Sequence, residues 1–130
     1  MAEAPPRFRI LIVEDEERLL ESLRYALDKA GYEVAVADSV EKATPILESF
    51  LPHALVLDGK LPGESGMSLA TWLKSREKHR SVKVVAISGD PGQKMLMGVM
   101  KTLVNAFLEK PFKNEVLIET LARLLPPPGR

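Results

Sequence analysis

With 130 residues, 45% of them apolar, the chain has material for one domain with one core and too little for two ordinary ones. Its 18 basic and 18 acidic side chains cancel, so no general field draws it to nucleic acid or to an anionic membrane. The lack of cysteine excludes disulfides, thiol catalysis and thiolate metal sites, and no run resembles a signal-peptide core or a membrane span; a soluble, cytoplasmic protein is expected.

Residues 1–7 read as a disordered leader. Phe8 to Val13 is a predicted strand whose buried part is Ile10-Leu11-Ile12-Val13, and Glu14-Asp15-Glu16-Glu17 then opens a helix with Leu19, Leu20, Leu23 and Leu27 at helical spacing. Gly31 ends that helix as a left-handed cap, and Glu33 to Ala37 is a second strand. Ser39 or Thr44 caps the next helix; Pro45 suits the first helical position better than an interior one, so this helix is expected to be bent or to start late. Ala54 to Asp58 is the third strand, followed by a helix from about Ser65 to Lys78 with Met67, Leu69, Ala70 and Leu73 inward. Val82 to Ser88 is the fourth strand, Pro91 to Leu103 a helix, Ala106 to Glu109 a short fifth strand and Phe112 to Leu125 a last helix. The Pro-rich segment 126–130 reads as a frayed tail or linker stub, which leaves residues 8–125 as the domain.

Five strands alternating with five helices through short loops imply parallel strands and right-handed crossovers. The expected architecture is an α/β doubly wound five-stranded sheet of order 2-1-3-4-5, with strands one and three side by side at the switch point. Their carboxyl ends carry Glu14, Asp15 and Asp58. Asp58 alone could be an ordinary turn initiator, and the acids after Val13 could merely suit a helix N-terminus. Three carboxylates in one crevice, however, repel each other unless a cation sits among them, and a hard oxygen-seeking ion such as magnesium is the expected one. Ser88 ends the fourth strand and Lys110 the fifth. Magnesium, a lysine and a hydroxyl together would hold three phosphoryl oxygens and leave an aspartate oxygen to attack phosphorus in line.

Four motifs then stand in order: Ile10-Leu11-Ile12-Val13-Glu14-Asp15, Leu55-Val56-Leu57-Asp58 with Leu61-Pro62-Gly63 and Gly66, Ala86-Ile87-Ser88-Gly89, and Phe107-Leu108-Glu109-Lys110-Pro111-Phe112; Ala30-Gly31-Tyr32-Glu33-Val34 also fits. Over roughly residues 7–125 the chain resembles the receiver domain of two-component response regulators, a flavodoxin-like fold. The resemblance implies a bacterial phosphorelay protein with Asp58 as phosphoacceptor, served by a sensor histidine kinase or a histidine phosphotransfer protein. It implies magnesium held by Asp15, Asp58 and the backbone carbonyl of Lys60, with Glu14 acting through water. Ser88 and Lys110 would contact the phosphoryl group, Ser88 and Phe107 would form the switch, and the Lys110–Pro111 bond would be cis. The readout would be a downstream protein bound on the face of the fourth and fifth helices and the fifth strand, without direct nucleic-acid contact or membrane insertion, in a signalling domain rather than an enzyme.

Some residues depart from that pattern. Leu103-Val104 stand where the family usually has Gly-Ala, and the preceding helix is rich in methionine. Met95 and Met100 read as core filler; Met97 with Val116 reads as an exposed partner patch, and Trp72 as a second contact surface or a capping aromatic. Lys60 and Asp90 are expected to pair as a lid over the site that slows loss of the phosphate. His53 and His79 fit no catalytic position and read as structural or surface residues. The competing readings are a receiver-like interaction module that is never phosphorylated and an aspartyl-nucleophile phosphotransferase. The first is disfavoured because every site residue is present, the second because the chain has no room for a substrate-capping insertion. A flavin-binding relative would need a hydroxyl- and glycine-rich phosphate loop where the acidic run 14–17 stands.

Overall fold

A computed structural model of the chain describes residues 7–59, 66–89 and 103–125. Five strands, β1 (Arg9–Val13), β2 (Glu33–Ala37), β3 (Ala54–Asp58), β4 (Lys83–Ser88) and β5 (Ala106–Glu109), form one sheet in the order β2-β1-β3-β4-β5, all neighbours parallel. Four helices lie among the described residues: α1 (Glu17–Lys29), α2 (Val40–Phe50), α3 (Gly66–Ser75) and α4 (Asn114–Leu124). The helix expected over 91–103 falls outside the described residues except for Leu103, which is in a turn.

The apolar runs of β1, β3 and β4 are buried because helices cover both faces of the sheet. Successive side chains point to opposite faces. Leu11, Val13, Leu55, Leu57 and Val84 pack with Ala43 and Leu47 of α2 and with Leu69 and Leu73 of α3. Ile10, Ile12, Val56, Val85 and Ile87 pack instead with Leu23 and Leu27 of α1 and with Leu117 and Leu121 of α4. The two layers hold β3 and β4 rigidly, and these strands deliver Asp58 and Ser88 to one edge.

Helix ends follow local chemistry, with two corrections. Gly31, at φ 104°, closes α1: its N–H donates to the Asp28 carbonyl and the Tyr32 N–H to that of Leu27, the paired bonds of a glycine-terminated helix. Of the two alternatives expected for α2, a bend or a late start, the late start is overturned, and of the two candidate caps Ser39 is the one used. Ser39 Oγ accepts the Lys42 N–H at 3.2 Å, so the helix opens at Val40 and encloses Pro45. Pro45 forfeits one backbone bond, while the Thr44 hydroxyl donates to the Val40 carbonyl at 2.9 Å. Helix α3 stops at Ser75 rather than Lys78. Ser75 Oγ donates to the Trp72 carbonyl at 2.7 Å, and Lys74 Nζ leaves the helix line to donate to the carbonyls of Arg80 and Val82. These contacts fold the following residues into a turn that buries His79 under Trp72, ring centroids 5.3 Å apart, with Nε2 3.1 Å from Glu48 Oε1. Trp72 is half-buried against the α2–α3 core, with the Arg76 guanidinium 4.9 Å from its ring centroid.

Candidate functional site

Register alone brings the acids together. Val13 lies opposite Leu57, so the next residues, Glu14 and Asp58, leave their strands side by side. On the far side of β3, Asp58 is level with Ile87, and the Gly59 N–H donates to the Ile87 carbonyl at 3.0 Å, which sets Ser88 beside the same edge. Ser88 is in turn level with Glu109, and the Lys110 N–H donates to the Ser88 carbonyl at 2.8 Å. The Lys110–Pro111 bond is cis. Gly89 stands beside the lysine stem, where an added Cβ would make ordinary contact with Lys110 Cβ at 3.5 Å.

Glu14 is fully buried and Asp58 and Ser88 nearly so, while Asp15 is exposed. The ammonium of Lys110 reaches Asp58 Oδ2 at 3.3 Å and Glu14 Oε1 at 3.0 Å. The first contact is a hydrogen bond. The second is a charge contact out of line, and it leaves Glu14 Oε1 buried without a hydrogen-bond partner. Glu14 Oε2 accepts the Glu16 N–H at 2.9 Å, which fixes the side chain. Burial raises the Glu14 pKa from its ordinary 4.5 to about 7; the Glu16 N–H and Lys110 work against that rise, and the Asp58 charge adds to it. Burial also opposes the charge of Lys110, but Glu14 and Asp58 outweigh it and hold the ammonium above the usual lysine range.

One carboxylate oxygen each from Glu14, Asp15 and Asp58 lie within 4.8 Å of one another. Hard oxygen donors so grouped, one of them the buried and unsatisfied Glu14 Oε1, fit a small divalent cation. Sequence reasoning therefore placed Glu14, Asp15, Asp58, Ser88 and Lys110 at one edge, and they are found at one edge. Phe107 stands apart from the carboxylates, half-buried on the sheet face beside Ala86, Leu103 and Val104. Lys60 and Asp90, expected as a lid, lie outside the described residues, as do Met95, Met97 and Met100. Val116 is 40% exposed, off the inward face of α4 as expected. The neighbour that sequence reading undervalued is Gly66, seen there only as part of a motif. A Cβ at this first residue of α3 would fall 2.3 Å from the Asp58 carbonyl oxygen, so the helix abuts the end of β3. A glycine opening a helix shortly after the strand-end aspartate is the only trace of this in the sequence.

Residues 10–122 match the family model described as the response regulator receiver domain. Among curated proteins the chain is 29% identical over 116 residues to the phosphate regulon transcriptional regulatory protein PhoB of Pseudomonas aeruginosa, covering 89% of this chain and 51% of that one. The chain thus spans about half the length of this relative, and a quarter of the C4-dicarboxylate transport regulator DctD of the same organism, to which it is 30% identical. Among solved structures, a sensor protein from Polaromonas sp. JS666 superposes with a TM-score of 0.83 at 30% identity, covering 92% of this chain and 96% of that one. A CheY-like response regulator receiver domain from Methylobacillus flagellatus gives 0.80 at 26% identity, covering 92% and 99%.

Proposed function

This chain belongs to the response regulator receiver domain family, and on that premise we propose that Asp58 is its phosphoacceptor, loaded by a sensor histidine kinase or a histidine phosphotransfer protein. The observation that carries the reading is the Lys110 ammonium lying against both Asp58 and Glu14 at the carboxyl edge of a parallel sheet. An Asp58 oxygen attacks the phosphorus of a phosphohistidine, the P–N bond breaks, and its electron pair leaves with the imidazole. Lys110, already held at the carboxylate, turns its ammonium to pair with the phosphoryl oxygens, and the Ser88 hydroxyl donates to another of them. Glu14, Asp15 and Asp58 would hold magnesium, with Glu14 acting through water and the Lys60 carbonyl as a further ligand; bound there, the ion supplies charge neutralisation at phosphorus.

Loading adds charge and strong acceptors at one point of the sheet edge. Ser88 and Phe107 pass the change to the side of the sheet that carries β5 and α4, where a downstream protein reads it. Phe107 is suited to this because it is only half-buried and packs on the small Ala86. The protein then acts in the cytoplasm as a signalling domain that catalyses its own phosphorylation and dephosphorylation and makes no direct contact with nucleic acid. Among the described residues no helix is long and apolar enough to cross a membrane. The test is incubation with magnesium and a small phosphodonor followed by intact-mass measurement. A gain of one phosphoryl group that disappears in Asp58→Ala is expected. A wild-type chain that gains nothing favours the interaction-module reading.

A further inference from the structure

The opposite end of the sheet holds a feature that phosphoryl transfer does not use. At the amino ends of β3 and β4 a cavity of about 320 Å³ opens, lined by Leu51, Pro52, Val82 and Leu125 on its apolar side and by His53, His79, Ser81, Lys78 and Lys83 on its polar side. Among the described residues no carboxylate is in the lining, while Glu48 contacts the lining residues Lys78 and His79. Lys78 shares its charge with Glu48 at 3.3 Å, but no ion pair among the described residues neutralises Lys83. The field of Lys83 is felt at the neighbouring Lys74, whose pKa is lowered by burial first and by that charge second. Lys83 is thus the lining ammonium that has no ion-pair partner among the described residues.

His53 also offers a donor. His53 Nδ1 accepts the Arg9 N–H at 2.9 Å, which assigns the proton of the neutral ring to Nε2. Burial, then the charge of Arg9, depress the His53 pKa and favour that neutral ring. The rim carries strain as well. Leu51 sits in the left-handed region at φ 52°, where glycine is usual, with its side chain 42% exposed. It is held there by Arg9, whose Nε donates to the carbonyls of Phe50 and Leu51 at 2.8 and 3.0 Å. This conformation closes α2, with the Leu51 N–H donating to the Leu47 carbonyl at 3.3 Å, and sets the chain that lines the cavity.

We propose that this cavity binds a small amphipathic organic anion, with its carboxylate or phosphate head on Lys83, Lys78 and Ser81 and its apolar body against Leu51, Val82 and Leu125. The charge complement selects an anion, and the apolar wall selects one with a hydrocarbon or aromatic body over a bare ion. The ligand enters at the end of β3 and β4 remote from Asp58 and Ser88, so it does not compete with magnesium or phosphate.

The experiment is a titration of the ¹⁵N-labelled chain, free of magnesium, with benzoate, phenyl phosphate, benzyl alcohol and inorganic phosphate, followed through the backbone amides. Benzoate or phenyl phosphate, whichever head fits, should shift His53, Ser81 and Lys83 saturably, and the other two probes should bind at least about tenfold more weakly. Lys83→Met should weaken the better probe by about tenfold, and Lys83→Arg should keep its binding. The proposal is overturned if neither amphipathic anion gives saturable shifts, if benzyl alcohol binds equally well, or if Lys83→Met binds like the wild type. Because no phosphodonor or metal is present, these outcomes are independent of whether Asp58 accepts a phosphoryl group.

Discussion

Replacing Gly66 by alanine sets two effects of opposite sign against each other. In an unobstructed helix the change stabilises by about 0.8–1 kcal/mol, because alanine loses less backbone freedom on folding. Here the new Cβ would meet the Asp58 carbonyl oxygen at 2.3 Å and Leu57 Cγ at 3.1 Å. Ordinary contact begins at 3.4 Å, so α3 and the end of β3 must separate by about 1.1 Å (3.4 − 2.3). The obstacle is backbone of a central strand buried on both faces and cannot rotate away. Overpacking of this kind costs about 1–3 kcal/mol, which exceeds the propensity gain. The consequence for chemistry is larger, since a displacement of about 1 Å at a reacting group lowers rates by about 100-fold. Gly66→Ala is therefore expected to lower the urea midpoint modestly and to slow phosphoryl loading of Asp58 severely, the first read by equilibrium unfolding and the second by an intact-mass time course. A variant more stable than the wild type and loaded at the wild-type rate would refute the claim that α3 pins Asp58.

Titration of Glu14 gives a second test. Its folded pKa of about 7 lies above the ordinary 4.5, so the metal-free folded state holds a proton that the unfolded chain has released. Stability should fall as pH rises from 4.5 to about 7, by up to roughly 3 kcal/mol, and stay low above that; urea midpoints that do not drop across this window, or a Glu14→Gln variant with the same slope, contradict the assignment. Magnesium needs the ionised acid, so its affinity should rise through the same window, as calorimetric titration at pH 6 and pH 8 would show to about that order. His53→Ala leaves the Arg9 N–H without its acceptor and should cost about 1–3 kcal/mol by urea unfolding; a neutral result means that solvent replaces the ring. Leu51→Gly relieves the left-handed strain and should raise stability by about 1 kcal/mol, while unchanged or lower stability would show that the leucine side chain contributes more than its backbone costs.

The sheet was legible because its signals are local and coincide. Apolar runs too short for helices end in Asp58, Ser88 or the Glu14-Asp15 pair, and alternation with helical periods leaves few topologies. The site was legible for the same reason: strand order converts strand-end residues into neighbours. What failed depended on competition between groups distant in energy rather than in pattern. Pro45 argued for a late α2, but Ser39 offers a cap one turn earlier and the helix tolerates one missing bond. Helix α3 keeps its period past Ser75, yet Lys74 finds better acceptors at Arg80 and Val82. The cavity below β3 and β4 joins α2, the α3–β4 turn and Leu125, segments whose meeting no short-range pattern encodes.

The stacking of Trp72 on His79 has a practical consequence. Trp72 is the only tryptophan of the chain, so its emission comes from one place, the end of a helix whose first residue touches the Asp58 backbone. An imidazole beneath the indole and the Arg76 guanidinium beside it place charge and quenching groups within contact of the fluorophore. The unlabelled chain consequently carries its own optical gauge of α3: a change of intensity on adding magnesium or phosphodonor reports movement along that single helix, and its amplitude separates local rearrangement from loss of the fold.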